Sequence, residues 1–154
     1  MLVAVGEQLN PRDVEGALRS NLEWRRDPLD AMLNEPAFPE GCASRRRMGV
    51  WMRLRPGRCV NLLPPGPWDP KAAKAGAVLV SGWAQAEGHR LALMGRRVAA
   101  AFGLGRCPFG TFALTPQPTI VLPHPSGRSR FLNEFENVAM VRRAVETFER
   151  VFTV

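Results

Sequence analysis

Four short, densely apolar runs constrain this chain more than any other feature. They are residues 2–5 (LVAV), residues 59–63 (CVNLL), residues 89–95 (HRLALMG) and the TIVL inside the stretch QPTIVLPHPSG, 117–127. Each is too short for a buried helix and too uniformly apolar for a half-exposed strand, so each reads as a strand covered on both faces. Between them lie segments with helical character. Residues 13–35 carry a weak helical pattern broken by Pro28, and residues 43–54 (ASRRRMGVWMRL) turn Met48, Trp51 and Met52 inward. Asp69-Pro70 opens a helix with an N-cap and a proline at its first position, and its alanine-rich body runs to about Glu87. Residues 96–104 (RRVAAAFGL) start a helix directly after Gly95. Residues 134–151 close with Val138, Val141, Val145, Phe148 and Val151 or Phe152 at helical spacing. The prolines and glycine of EPAFPEG, 35–41, mark a loop. Strands alternating with helices predict a three-layer α/β/α sandwich on a mostly parallel four-stranded sheet. The 154 residues form one domain, 1–154.

Composition narrows the partners. No run of eighteen apolar residues exists, so no membrane span is expected, and MLVAVGEQLN lacks the basic start and long apolar stretch of a signal peptide. Cys42, Cys59 and Cys107 are far apart, odd in number and form no CxxC pair. A zinc ribbon, a four-cysteine iron–sulfur cluster and any other metal or cofactor are therefore not expected. Reduced thiols suit a cytoplasmic protein, expected as a monomer. The net charge is +7, carried almost wholly by arginine, since Lys71 and Lys74 are the only lysines. Charge of this size suits a polyanion such as DNA, because counterion release drives binding; a solvated basic surface is the plainer alternative.

In an open parallel sheet the ligand lies beyond the carboxyl ends of the strands. Here every strand exit carries unusual residues: Gly6-Glu7-Gln8, Asn61, Gly95 and His124. Two prolines, Pro123 and Pro125, fix the backbone around His124 and aim its imidazole. Taken singly, each has a structural reading: a tight turn at Gly6, an Asn61 satisfied by backbone, a stiff turn at His124, solvated side chains at Arg128 and Arg130. Gathered at one edge, they make a pocket with an amide, a ring donor, backbone N–H groups and positive charge.

These residues, taken in order, resemble the uracil-DNA glycosylase superfamily across almost the whole chain. Gly6-Glu7 resembles the start of a Gly-Glu-Ala-Pro-Gly water-activating loop, and Asn61-Leu62-Leu63-Pro64-Pro65 resembles the strand whose asparagine reads uracil. LALMGRRVAAAFG follows in the right place. His124-Pro125-Ser126-Gly127-Arg128-Ser129-Arg130 is similar to the His-Pro-Ser loop, with a continuation like that of mismatch-specific members.

The resemblance implies a monofunctional DNA N-glycosylase acting on uracil or a 5-modified pyrimidine flipped out of the helix. Asn61 would then donate to uracil O4 and accept from N3–H, and His124 would donate to O2 as the leaving base becomes anionic. Phe38 would stack on the base, or else serve the core. Ser126 and the amides around Gly127 would grip phosphate, Arg128 would fill the vacated stack where relatives often use leucine, and Arg130 would add charge. Gln8 departs from the aspartate or asparagine of relatives: it can orient a water but cannot be a general base. Glu7 would serve only if the chain turns it into the pocket. Two other readings stay open. The fold could process a more heavily modified base, or it could be a catalytically inert DNA- or base-binding module.

Overall fold

The structure, a computed structural model, describes residues 1–8, 14–35, 37–114, 116–126 and 130–152. It is an α/β fold on a mostly parallel sheet, with β1 (Leu2–Gln8), β2 (Arg58–Leu63), β3 (Arg90–Met94) and β5 (Thr119–Leu122) running parallel. The sheet is five-stranded, in the order β2-β1-β3-β5-β4, not four-stranded as the sequence predicts. The additional strand, β4 (Phe112–Ala113), is two residues long and pairs antiparallel with β5 at the edge. Gly110 N–H donates to the Val121 carbonyl at 2.6 Å, and Val121 N–H donates to the Thr111 carbonyl at 3.0 Å, which extends that pairing.

Strand alternation divides the core in two. On one face Leu2, Ala4, Cys59, Ala92, Met94, Ile120 and Leu122 pack against Met48 of α3 (Ala43–Trp51) and Val141, Val145 and Phe148 of α6 (Phe135–Phe152). On the other, Val3, Val5, Val60, Leu62, Leu91 and Leu93 meet four helices. These are α1 (Val14–Arg26), α2 (Pro28–Asn34), α4 (Pro70–Glu87) and α5 (Arg96–Ala101). The three layers follow from residues whose apolar faces have no other cover.

The helix boundaries have local causes. Pro28 does not merely break a weak helix; it sits at the start of α2, whose N-cap Asp27 accepts from Asp30 N–H at 3.1 Å. Asp69-Pro70 starts α4 by the same device, and Gly88, in the left-handed region at φ 72°, ends it. Helix α3 stops at Trp51 and α5 at Ala101, each shorter than the apolar pattern suggests, while β1 continues past Gly6 to Gln8 by pairing with Leu63.

The chain order places the sheet's topological switch between β1 and β3, since β2 lies to one side of β1 and β3 to the other. The connection from α2 to α3 crosses from one face to the other. Residues 37–42 lie on it. They carry Phe38 to Gly6, near the carboxyl end of β1.

Candidate functional site

Asn61 stands beside Gly6 in the β1–β2 register and is 1% exposed. Its neighbours Val60 and Leu62 face the helices α1, α2 and α4, so Asn61 shares the opposite face with Cys59. Gly6 leaves room for a ring against the strand there. A Cβ at this position would sit 3.0 Å from Ala37 Cβ and 3.2 Å from the Phe38 ring. Phe38 is 5% exposed, and its ring lies 5.7 Å from the His124 imidazole, tilted by 59°. Arg45 fixes the loop from below by donating to the Phe38 carbonyl at 2.9 Å. Phe38 therefore belongs to the core by burial and walls the site by position.

His124 follows β5 by two residues. Gly95, at φ 100°, brings the end of β3 against it: a Cβ on Gly95 would lie 3.3 Å from His124 Cβ. Positive φ and that contact together call for glycine. Ser126 N–H donates to His124 Nδ1 at 3.1 Å, so the neutral ring carries its proton on Nε2. Burial holds the imidazole pKa below its ordinary value, with the Glu7 carboxylate opposing. The result is a neutral ring whose available group is a donor.

The amides complete the picture. Asn61 Nδ2 donates to the Glu35 carbonyl at 3.4 Å, whereas Asn61 Oδ1 is buried with no hydrogen-bond partner. Gln8 repeats this arrangement: Nε2 donates to the Gly66 carbonyl, and Oε1 is buried and unpartnered. Among the described residues, these two oxygens are the buried side-chain polar atoms left without a partner. Such groups are rare because each forfeits its hydration for nothing in return. Here both lie on adjacent strands at the edge where the ligand of a parallel sheet binds.

Glu7 goes elsewhere. Alternation along β1 puts it on the face of Val3 and Val5, and its Oε1 lies 3.7 Å from Arg97 at the start of α5. Beside that ion pair, Trp68, Pro70, Lys74, Arg96, Arg97 and Ala100 line a cavity of about 320 Å³. Its lining holds three cations and no carboxylate. Ser126 is half-buried and Arg130 is exposed, while Gly127 and Arg128 lie outside the described residues.

The structure thus links Asn61, Gly6, Phe38 and His124 as successive neighbours, sets Gln8 at the same edge and ties Glu7 to Arg97. Sequence reasoning missed Glu35, Arg45 and Arg97, which hold Asn61, Phe38 and Glu7. No protein-family model matches the chain, and no curated protein matches it.

Proposed function

We propose that the protein is a DNA glycosylase that hydrolyses the N-glycosidic bond of uracil, or of a 5-modified uracil, flipped out of DNA. The motif set that resembles the uracil-DNA glycosylase superfamily supports this reading. The observation that carries it is the buried, unpartnered Oδ1 of Asn61, paired in register with Gly6, on which Phe38 packs with its ring 5.7 Å from the His124 imidazole.

An acceptor with an anchored amide nitrogen suits the uracil edge. Asn61 Oδ1 accepts from N3–H, and the second Nδ2 hydrogen, not used by Glu35, donates to O4. Cytosine presents an acceptor at N3 and a donor at N4, so it would leave both sides mismatched in a buried site. In the reaction the C1′–N1 bond breaks with its electron pair going to the base, leaving positive charge on the sugar. Negative charge spreads over N1 and O2 of the base, and His124 Nε2–H donates to O2. A neutral donor is what the buried imidazole supplies, and its geometry is set before charge develops. Water then bonds to C1′ and loses a proton to solvent. Arg130, Ser126 and the cationic rim of Lys74, Arg96 and Arg97 supply phosphate contacts.

One observation favours a second reading. Glu7 is paired with Arg97 and the residue at the site edge, Gln8, is an amide and not a carboxylate, which suits a module that binds a flipped base without cleaving it. Single-turnover release from matched uracil, 5-modified uracil and cytosine oligonucleotides decides between them. Asn61→Asp is the diagnostic variant. Its carboxyl would face the Glu35 carbonyl without the amide donor, so uracil release falls sharply relative to cytosine. Release at the normal rate by a folded Asn61→Asp protein would refute base reading. Binding without release by the wild type would establish the inert module.

A further inference from the structure

We propose that Glu35, clamped by Ser20 and Trp24, is a positioning residue that sets the amide orientation of Asn61 and thereby the choice between uracil and cytosine. The inference rests on the base-reading role of Asn61 and adds residues that no motif of this chain contains.

An asparagine amide can turn by half a rotation and exchange its donor for its acceptor. Turned, Asn61 would offer donors where uracil has its N3–H and an acceptor where it has O4, a pattern complementary to cytosine. Something must hold the unturned state. Within the described residues the only hydrogen bond from Asn61's side chain is the one to the Glu35 carbonyl, at 3.4 Å. Turning the amide would bring Oδ1 against that carbonyl, acceptor against acceptor. The bond is long, so its value depends on how firmly the Glu35 carbonyl is placed.

Glu35 is placed from three sides. Its backbone N–H caps α2 by donating to the Ala31 carbonyl at 3.0 Å. The Ser20 hydroxyl lies 2.6 and 2.9 Å from its two carboxylate oxygens, and Trp24 Nε1–H donates to Oε2 at 2.9 Å. Ser20 and Trp24 are one helical turn apart on α1, 7% and 5% exposed. Hydrogen bonds to a charged acceptor are about twice as strong as neutral ones, so this side chain is held firmly against the helix face. Ala37 and Phe38 follow shortly after and pack on Gly6. A single anchor therefore sets both the base-reading amide and the ring beside it.

Glu35→Gln and Ser20→Ala weaken the clamp with little change in side-chain volume, and Trp24→Phe weakens it while leaving a smaller ring in place. For each, the ratio of uracil to cytosine release in single turnover is expected to fall by about tenfold, the loss of one charge-assisted hydrogen bond. Uracil release itself falls less. In an Asn61→Ala background the same three changes should leave the ratio where Asn61→Ala put it, because their effect passes through Asn61. A general loosening of the fold would instead lower the ratio, or the melting temperature, equally in both backgrounds. An activity-independent readout accompanies these assays: the Asn61 side-chain NH₂ resonances. They should stay distinct and slow to exchange in the wild type and broaden in Glu35→Gln. Unchanged ratios with unchanged resonances overturn the proposal while leaving the glycosylase reading intact. A wild type that releases no base overturns the glycosylase reading, and the resonances alone then decide whether Glu35 orients Asn61.

Discussion

Replacing His124 separates the loop contact it makes to Ser126 from the role proposed for it, donating to the departing base. His124→Asn puts a carboxamide oxygen where Nδ1 sits, so Ser126 N–H keeps an acceptor, but its nitrogen stops short of Nε2. His124→Ala removes both. Loss of one preorganised oxyanion donor slows the chemical step by about 10²–10³-fold, so both variants should release uracil at least 100-fold more slowly. Their stabilities should differ. The alanine variant leaves Ser126 N–H unpaired and vacates a ring packed on Gly95 and Phe38, costing about 1–3 kcal/mol. At about 2–4 °C per kcal/mol for a domain of this size, its Tm drops several degrees while that of His124→Asn stays near wild type. The pH dependence follows from burial, which lowers the folded pKa below the ordinary 6.5. Folded protein then binds fewer protons than unfolded, so His124's share of stability is full above about 6.5 and is lost as pH falls through the folded value. His89 is also lowered by burial and acts in the same direction, so the wild type minus His124→Asn difference isolates His124. Single-turnover release with melting curves from pH 5 to 8 provides the assay. A folded His124→Asn protein with the wild-type rate would reduce His124 to a turn residue.

Affinity for DNA should fall steeply with salt, and Lys74→Ala or Arg97→Ala should each shrink the slope of log affinity against log salt by about one, without changing base preference. Titration of a fluorescent oligonucleotide at several salt concentrations measures this; equal binding at all of them contradicts the phosphate-contact reading. Gly6→Ala should cost about 1–3 kcal/mol, because its Cβ meets Ala37 at 3.0 Å and Phe38 at 3.2 Å, and it should slow base release as that ring is displaced. Gln8→Ala should slow release less than His124→Ala; complete loss of turnover in the folded variant would assign Gln8 a larger part.

The sheet and the outline of the site were legible in the sequence for a common reason. Buried parallel strands write themselves as continuous apolar runs, and a polar residue inside one, such as Asn61, stands out because it must be explained. Prolines on both sides mark His124 in the same way. What escaped was held by contacts between distant segments. Ser20 and Trp24 meet Glu35 from 15 and 11 residues away, and Glu35 meets Asn61 across 26 more. No local pattern announces such pairs. Strand β4 escaped because two residues carry no periodicity; its pairing is fixed by Gly110 and Thr111 against Val121. Glu7 and Gln8 read as a turn because they are polar, but the register with β2 extends the strand through them.

For the proposed hydrolysis, that extension decides how water is handled. Strand geometry sends successive side chains to opposite faces, so Glu7 and Gln8 cannot both face the base. Gly6 and Gln8 share the face of Phe38 and Asn61, and Glu7 faces Arg97. The carboxylate is thus left to act at a distance, raising the His124 pKa against burial, and the residue at the site edge is an amide. Gln8 is anchored through its nitrogen, so its free oxygen is an acceptor that can orient a water and cannot take its proton outright. Such a site suits a reaction in which bond breaking leads and the water arrives at an already cationic sugar. In the proposed reaction the catalytic demand then falls on stabilising the departing base, the part assigned there to His124 and Asn61.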